Sequence, residues 1–186
     1  MPPRVRITRE EIIRTAVEIV RKDGHQALNA RSVAAKLDCS TQPVFSNFAT
    51  MEELRLAVVE KADLLSQEYA KREMERGEYP AYKASGIAYI RFAKEEKELF
   101  KLLYMRDRTE ETIPKDMVMA ENIASILQQN TGLEDADMKL FHLEMWAYVH
   151  GIASMVATGF LELDWDVVSR MLTDAYLGLR KQYKVE

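Results

Sequence analysis

Residues 29–48 read NARSVAAKLDCSTQPVFSNF, and they decide the fold because their apolar positions fall on two short helices joined by a tight turn. Asn29 is placed to cap the first helix, whose Val33, Ala34 and Leu37 recur at helical spacing, and Ser40 to cap a second that turns Val44 and Phe48 inward. The turn is Asp38-Cys39. A positive φ is often needed at such a turn, and Asp is among the few side chains that tolerate one. With Val44 and Phe48 inward, Thr41, Gln42, Ser46 and Asn47 point outward. This row of hydrogen-bonding groups contains no catalytic group and suits the base edges of a major groove, so the expectation is a helix-turn-helix.

The flanking text supports that reading. Thr8-Arg-Glu-Glu is a capping box, and it opens a helix whose stripe of Ile12, Ile13, Ala16, Val17 and Val20 should end at Gly24 and pack behind the helix-turn-helix. Thr50-Met-Glu-Glu is a second box. It opens a long helix through Leu54, Val58, Leu65 and Tyr69 to about Arg76, with Gly77 and Pro80 closing it. Residues 81–104 read as two helices divided by the charged KEEKE run, and residues 106–114 as a polar loop. A helix over 115–131 should stop at Gly132, a longer one runs from Asp135 to about Leu161, and Asp164 caps a last one. No strand pattern or internal repeat occurs. The expected class is all-α with about nine helices: a three-helix head over residues 1–49 and a helical body over residues 50–186, to which the resemblance drawn below assigns ligand binding and dimerisation.

Taken together, Thr8-Arg-Glu-Glu-Ile-Ile, Gly24, Arg31-Ser-Val-Ala-Ala-Lys-Leu, Ser40, Val44-Phe45, Phe48 and Met51-Glu-Glu-Leu54 resemble the TetR family of bacterial transcription regulators over the first 55 or so residues. Further on, Trp146-x-x-x-His150-Gly151 resembles the WHG-type ligand domain of one branch of that family. Carried over position by position, the resemblance implies DNA contacts from Asn29, Arg31, Thr41, Gln42, Pro43, Phe45, Ser46 and Asn47. Two positions depart from the family pattern. Phe45 stands where Tyr is usual and Met51 where Lys is usual, and each change removes a group that would grip phosphate. The resemblance implies a ligand-responsive regulator of transcription that binds double-stranded operator DNA as a homodimer. Repression is the family's default.

Composition is consistent with this. Residues 1–50 hold 8 Lys and Arg against 5 Asp and Glu, a net +3, whereas residues 51–186 hold 18 against 25, a net −7. A basic head on an acidic body presents one end to DNA. Arg4 and Arg6 sit on a Pro-led N-terminal arm, which reads equally as an arm that enters a minor groove and as a frayed, solvated terminus. The single Cys39 and the absence of an apolar leader fit a reducing cytoplasm, and the uncharged run at 145–161 is too short and too polar for a membrane span.

In the body, Tyr89, Phe92, Phe100, Tyr104, Met119, Ile123, Trp146 and His150 read either as plain core or as the candidates for lining a small-molecule pocket. They supply aromatic and Met surface, with His150 or Tyr104 as a polar anchor. A mostly apolar effector is expected there. Ala147, Gly151, Ser154 and Thr158 form a ridge of small residues that seats either a partner helix or a helix of the same subunit; in the first case Trp165, Val168, Met171, Leu172 and Tyr176 would complete the two-fold contact. His142 and His150 lie eight residues apart with Met145 and Trp146 in the turn between, so they read as satisfied core histidines rather than metal ligands. No metal or cofactor is expected. No paired nucleophile and base or phosphate-binding glycine loop occurs, so an enzyme is not expected either. The alternative class is an all-α dimeric interaction protein whose head has weakened or lost DNA binding.

Overall fold

In the computed structural model, residues 7–106 and 121–185 are described, without the side chains of 121 and 122. Arg4, Arg6 and Met119 lie outside them, as does the start of the helix expected over 115–131. The described residues form nine α-helices, one short 3-10 turn (His25–Ala27) and no strand. They divide into two compact units. The first comprises Met1–Gln67 with Glu96–Arg106, and the second Glu68–Glu95 with Asp107–Glu186.

The first unit begins with α1 (Arg9–Asp23). Its capping box closes as read: the Thr8 hydroxyl accepts from the Glu11 amide at 3.2 Å, and the Glu11 carboxylate accepts from the Thr8 amide at 2.8 Å. Ile12, Ala16 and Val20 are fully buried. α2 (Ala30–Lys36) is capped by Asn29, whose side chain accepts from the amides of Arg31 and Ser32 at 3.0 Å each. The turn after it is a Schellman motif. Asp38 takes φ +51°, its amide donates to Ala35 O at 3.3 Å, and the Cys39 amide donates to Ala34 O at 3.0 Å. α3 (Gln42–Asn47) follows with Val44 buried. Its N-cap is Thr41, not Ser40, and no side chain caps it; Pro43 in the first turn, with φ already helical and no amide to satisfy, takes over the initiating role.

α4 (Met51–Arg76) is one 26-residue helix. The Thr50 hydroxyl accepts from the Glu53 amide at 3.1 Å, while the Glu53 carboxylate accepts from the Ala49 amide at 2.8 Å. The short α6 (Lys97–Tyr104) also belongs to the first unit, so the units do not divide after residue 49 as the sequence reading did. Leu99 and Phe100 are fully buried there, Arg21 of α1 pairs with Glu96 at 2.6 Å, and the Tyr104 hydroxyl bonds Ser66 at 3.2 Å.

In the second unit, α5 (Ala81–Glu95), α7 (Glu121–Thr131), α8 (Asp135–Ala157) and α9 (Trp165–Gln182) pack on one another. Tyr82, Leu127, Met138, Phe141 and Met145 form a core cluster against which Ile123, Tyr176 and Leu179 rest. Glu73, in the last turns of α4 and 1% exposed, is held by Arg91 of α5 at 3.0 Å. α8 ends four residues before the expected Leu161. The apolar run continues, but Gly159 at φ +73° terminates the helix. Asp164 does precede α9, though its side chain makes no capping bond.

The end of α1 yields a stability prediction. Gly24 has φ +81° and ψ +165°, a region essentially confined to glycine, and a Cβ there would lie 3.1 Å from a Glu98 carboxylate oxygen. Gly24→Ala should cost about 1–3 kcal/mol in urea denaturation; an unchanged midpoint would show that the turn relaxes without strain.

Candidate nucleic-acid interface and ligand cavity

The helix-turn-helix surface is set by which side of α3 is buried. Val44 and Phe48 are 0% and 1% exposed, so Gln42, Phe45 and Ser46 face outward, Phe45 at 52%. Asn29 and Arg31 at the start of α2 are also exposed. Thr41, Pro43 and Asn47 are half-buried. The polar side chains differ in what they have to spare. Asn47 Nδ2 donates to Pro43 O at 2.8 Å and the Ser46 hydroxyl to Gln42 O at 2.9 Å, so both are bonded back to their own helix. Asn29 is engaged as a cap. Gln42 has no such bond.

Arg9, in the first turn of α1, fastens this surface. One guanidinium nitrogen donates to Asn47 O at 2.6 Å and to Glu53 at 2.9 Å, and the group lies 4.0 Å from the centre of the Phe48 ring. The start of α1, the end of α3 and the start of α4 therefore meet at one side chain. The hydrogen bond from the Ala49 amide, then that from Arg9, hold the Glu53 carboxyl below its usual range. A Glu or Asp partner 44 residues away leaves no periodic trace, so nothing local in the sequence singled Arg9 out.

The second unit contains a cavity of about 410 Å³, partly open to solvent and within the range of small-molecule sites. α5 contributes Tyr82, Lys83, Ser85, Gly86 and Tyr89; α8 contributes His142, Met145, Trp146 and Val149; α9 contributes Leu172, Thr173 and Tyr176; Ile123 and Asn130 come from α7, and Pro80 precedes α5. Much of this wall is aromatic or aliphatic. Its polar atoms pair with one another across the helices: Tyr82 with His142 Nδ1 at 3.0 Å, Tyr89 with His150 Nδ1 at 2.9 Å, and Lys83 Nζ with the hydroxyls of Ser169 at 2.7 Å and Thr173 at 2.8 Å. Trp146 stacks on His150 with ring centres 5.0 Å apart. Burial favours the neutral form of each group: it pushes the Tyr82 and Tyr176 hydroxyls up, with Tyr176 adding to the effect on Tyr82, and brings Lys83 and His150 down from their ordinary values.

Of the residues expected to line a pocket, Tyr89, Ile123 and Trp146 do so, and His150 stands behind Tyr89 and Trp146. Phe92 does not. It is fully buried, with its ring 5.4 Å from that of Tyr69. Phe100 and Tyr104 belong to the first unit and take no part in the cavity. Tyr82, Lys83, His142 and Thr173 were not among the residues expected to line it, although Tyr82, Gly86 and Tyr89 share one face of α5 at spacings of four and three.

The residues expected at the dimer seam are divided between buried and exposed positions. Val168 and Leu172 are 1% and 3% exposed within the chain's own core, Trp165 is covered by Arg91 at 4.3 Å and Lys94 at 5.3 Å, and Tyr176 lines the cavity. Inward-facing positions of α9 look the same in sequence as seam positions. Ala147 and Thr158 are exposed, Gly151, Ser154 and Met171 half-exposed, and beside them Leu140, Leu143, Tyr148, Val167 and Leu177 are exposed apolar residues that the sequence reading did not pick out.

A unit that carries a helix-turn-helix and an all-helical unit with a cavity define a class of helical regulators. Residues 82–176 match the family of tetracyclin repressor-like C-terminal domains. The chain belongs to this TetR family of transcriptional regulators. The fold is similar to a TetR-like transcriptional regulator from Rhodococcus sp. RHA1 (18% identity, 98% of this chain and 97% of that one, TM-score 0.66). It is also similar to a Rhodococcus sp. RHA1 protein of unknown function (22%, 98% of each chain, TM-score 0.72), and to the multidrug binding protein EbrR complexed with imidazole (18%, 94% and 96%, TM-score 0.61). No curated protein is significantly similar in sequence. Among the described residues no helix is long and apolar enough to cross a membrane.

Proposed function

We propose that the chain is a cytoplasmic repressor that binds operator DNA as a two-fold dimer through α2 and α3 and is released when a small, mostly apolar molecule occupies the cavity of its second unit. The observation that supports this reading best is a pairing within one family member: a short helix with exposed, unengaged Gln42, and a cavity of about 410 Å³ lined largely by apolar side chains. Gln42 is the base reader, since its amide is unengaged and suited to bidentate contact with adenine. Arg31, exposed and outside every ion pair among the described residues, grips the backbone with Asn29. Asn47, its amide bonded to Pro43 O, contributes to the shape of the helix end rather than to readout.

A gel-shift with DNA flanking the chain's own gene tests the reading. Binding should be sequence-specific, Gln42→Ala should cost about 1–3 kcal/mol on the preferred site and relax one base pair, and Arg31→Ala should weaken all sequences alike. Equal affinity of the wild-type protein for operator and unrelated DNA would contradict the proposal.

The dimer is proposed on the exposed face of α8 and α9 that includes Leu143, Ala147, Gly151 and Leu177. A Cβ at Gly151 meets nothing within 4 Å inside the chain. Gly151→Leu should therefore leave the fold intact while sedimentation falls from twice the 21.5 kDa chain mass to the chain mass itself. A wild-type monomer at micromolar concentration, or a variant that stays dimeric, would remove this seam.

A further inference from the structure

The cavity contains one feature that an apolar ligand leaves unused. Lys83 is the one Lys or Arg among its described lining residues, and it enters from the first turn of α5, which holds no Asp or Glu. Its ammonium donates to two hydroxyls of α9, Ser169 and Thr173, and lies 4.9 Å from the centre of the Tyr79 ring. No carboxylate pairs with it among the described residues. The hydroxyls use two of its three N–H groups and carry no charge to balance the ammonium. A neutral donor would tie α5 to α9 through the same hydroxyls without placing a charge on the cavity wall, so the bonds to Ser169 and Thr173 do not account for a lysine. An anion does account for it, because the half-buried ammonium offers a carboxylate a charge-assisted bond that a neutral donor cannot. The other polar atoms of the wall are largely committed: the hydroxyls of Tyr82 and Tyr89 are bonded to histidine rings.

From this geometry we infer that the ligand of the cavity is a monocarboxylic acid with an alkyl or aryl body, its carboxylate on Lys83 and its apolar part against Trp146, Met145, Ile123 and Leu172. The inference rests on the reading of the cavity as the effector site and names the chemistry of that effector. The acid end accepts from the third N–H of Lys83 where the ammonium borders Thr173. The body lies on the aromatic and aliphatic wall of α8 and α7, where no further charge is needed.

Matched acids and alcohols separate the charge from the greasy body. Decanoate and 1-decanol, and 4-butylbenzoate and 4-butylbenzyl alcohol, would be titrated by calorimetry into wild type, Lys83→Met and Lys83→Arg, each checked for helical content by circular dichroism. Wild type should bind at least one acid about tenfold or more tightly than its alcohol. The preference should vanish in Lys83→Met and survive in Lys83→Arg. Equal binding of acid and alcohol by wild type overturns the inference while the apolar cavity stands, and needs no variant to do so. Acid preference that persists in a folded Lys83→Met also overturns it. Binding of neither member of either pair removes the effector-site reading and this inference with it.

Discussion

One kind of interaction decides what the second unit can hold: a tyrosine hydroxyl of α5 against a histidine ring of α8. It occurs twice, Tyr82 with His142 and Tyr89 with His150, seven residues apart on one helix and eight on the other, or about two turns. Both partners advance in the same direction, so α5 and α8 run parallel. α9 pairs with α5 in reverse order, Lys83 to Thr173 and Arg91 to Trp165, and so runs antiparallel. Each ring and hydroxyl would lose hydrogen bonding on burial if left alone, and each finds its partner in the opposite helix. The aromatic rings are thereby fixed along the wall of the cavity. Gly86, between the two tyrosines, allows close packing there: a Cβ on it would already touch Leu172 and Val149 at 3.4 Å. Bulky rings on either side of a small residue leave a cavity rather than a filled core.

The head depends on a different device. A six-residue α3 has too few backbone hydrogen bonds to persist alone. Its ends are therefore held from outside, by the Schellman turn at Asp38 before it and by Arg9 on the Asn47 carbonyl after it. Phe48, buried beneath the Arg9 guanidinium, completes the closure. The outward face carries no structural duty beyond the bonds of Ser46 and Asn47 to their own helix, which leaves Gln42 to contact something else.

Much of this was legible in the sequence because it is local. Thr8, Asn29, Asp38, Gly24, Gly77 and Gly132 act within four residues of themselves, and each does what its side chain, or lack of one, dictates. Periodicity located the helices and the inward Val44 and Phe48. It misplaced the end of α8, where the apolar run through Phe160 and Leu161 outweighed the stop at Gly159. It gave Val168 and Leu172 to a seam, because a periodic stripe says that a face is covered and not by what. Phe100 and Tyr104 were read into the pocket for the same reason, whereas Arg21–Glu96 and Ser66–Tyr104 place α6 in the first unit. Lys83 drew no notice, since a lone lysine in a helix ordinarily faces water; its role depends on Ser169 and Thr173, almost ninety residues on.

The central claim is that cavity and DNA surface are coupled through two states of one molecule. Coupling of this kind is reciprocal: whatever factor a ligand takes from operator affinity, operator takes from ligand affinity. The direct measurement is operator affinity with and without a saturating carboxylic acid in the cavity, set beside the affinity for that acid with and without saturating operator. The account predicts weakening in both arms by the same factor, about 5- to 150-fold for the usual 1–3 kcal/mol of coupling. An acid that binds free protein and operator complex equally would contradict it.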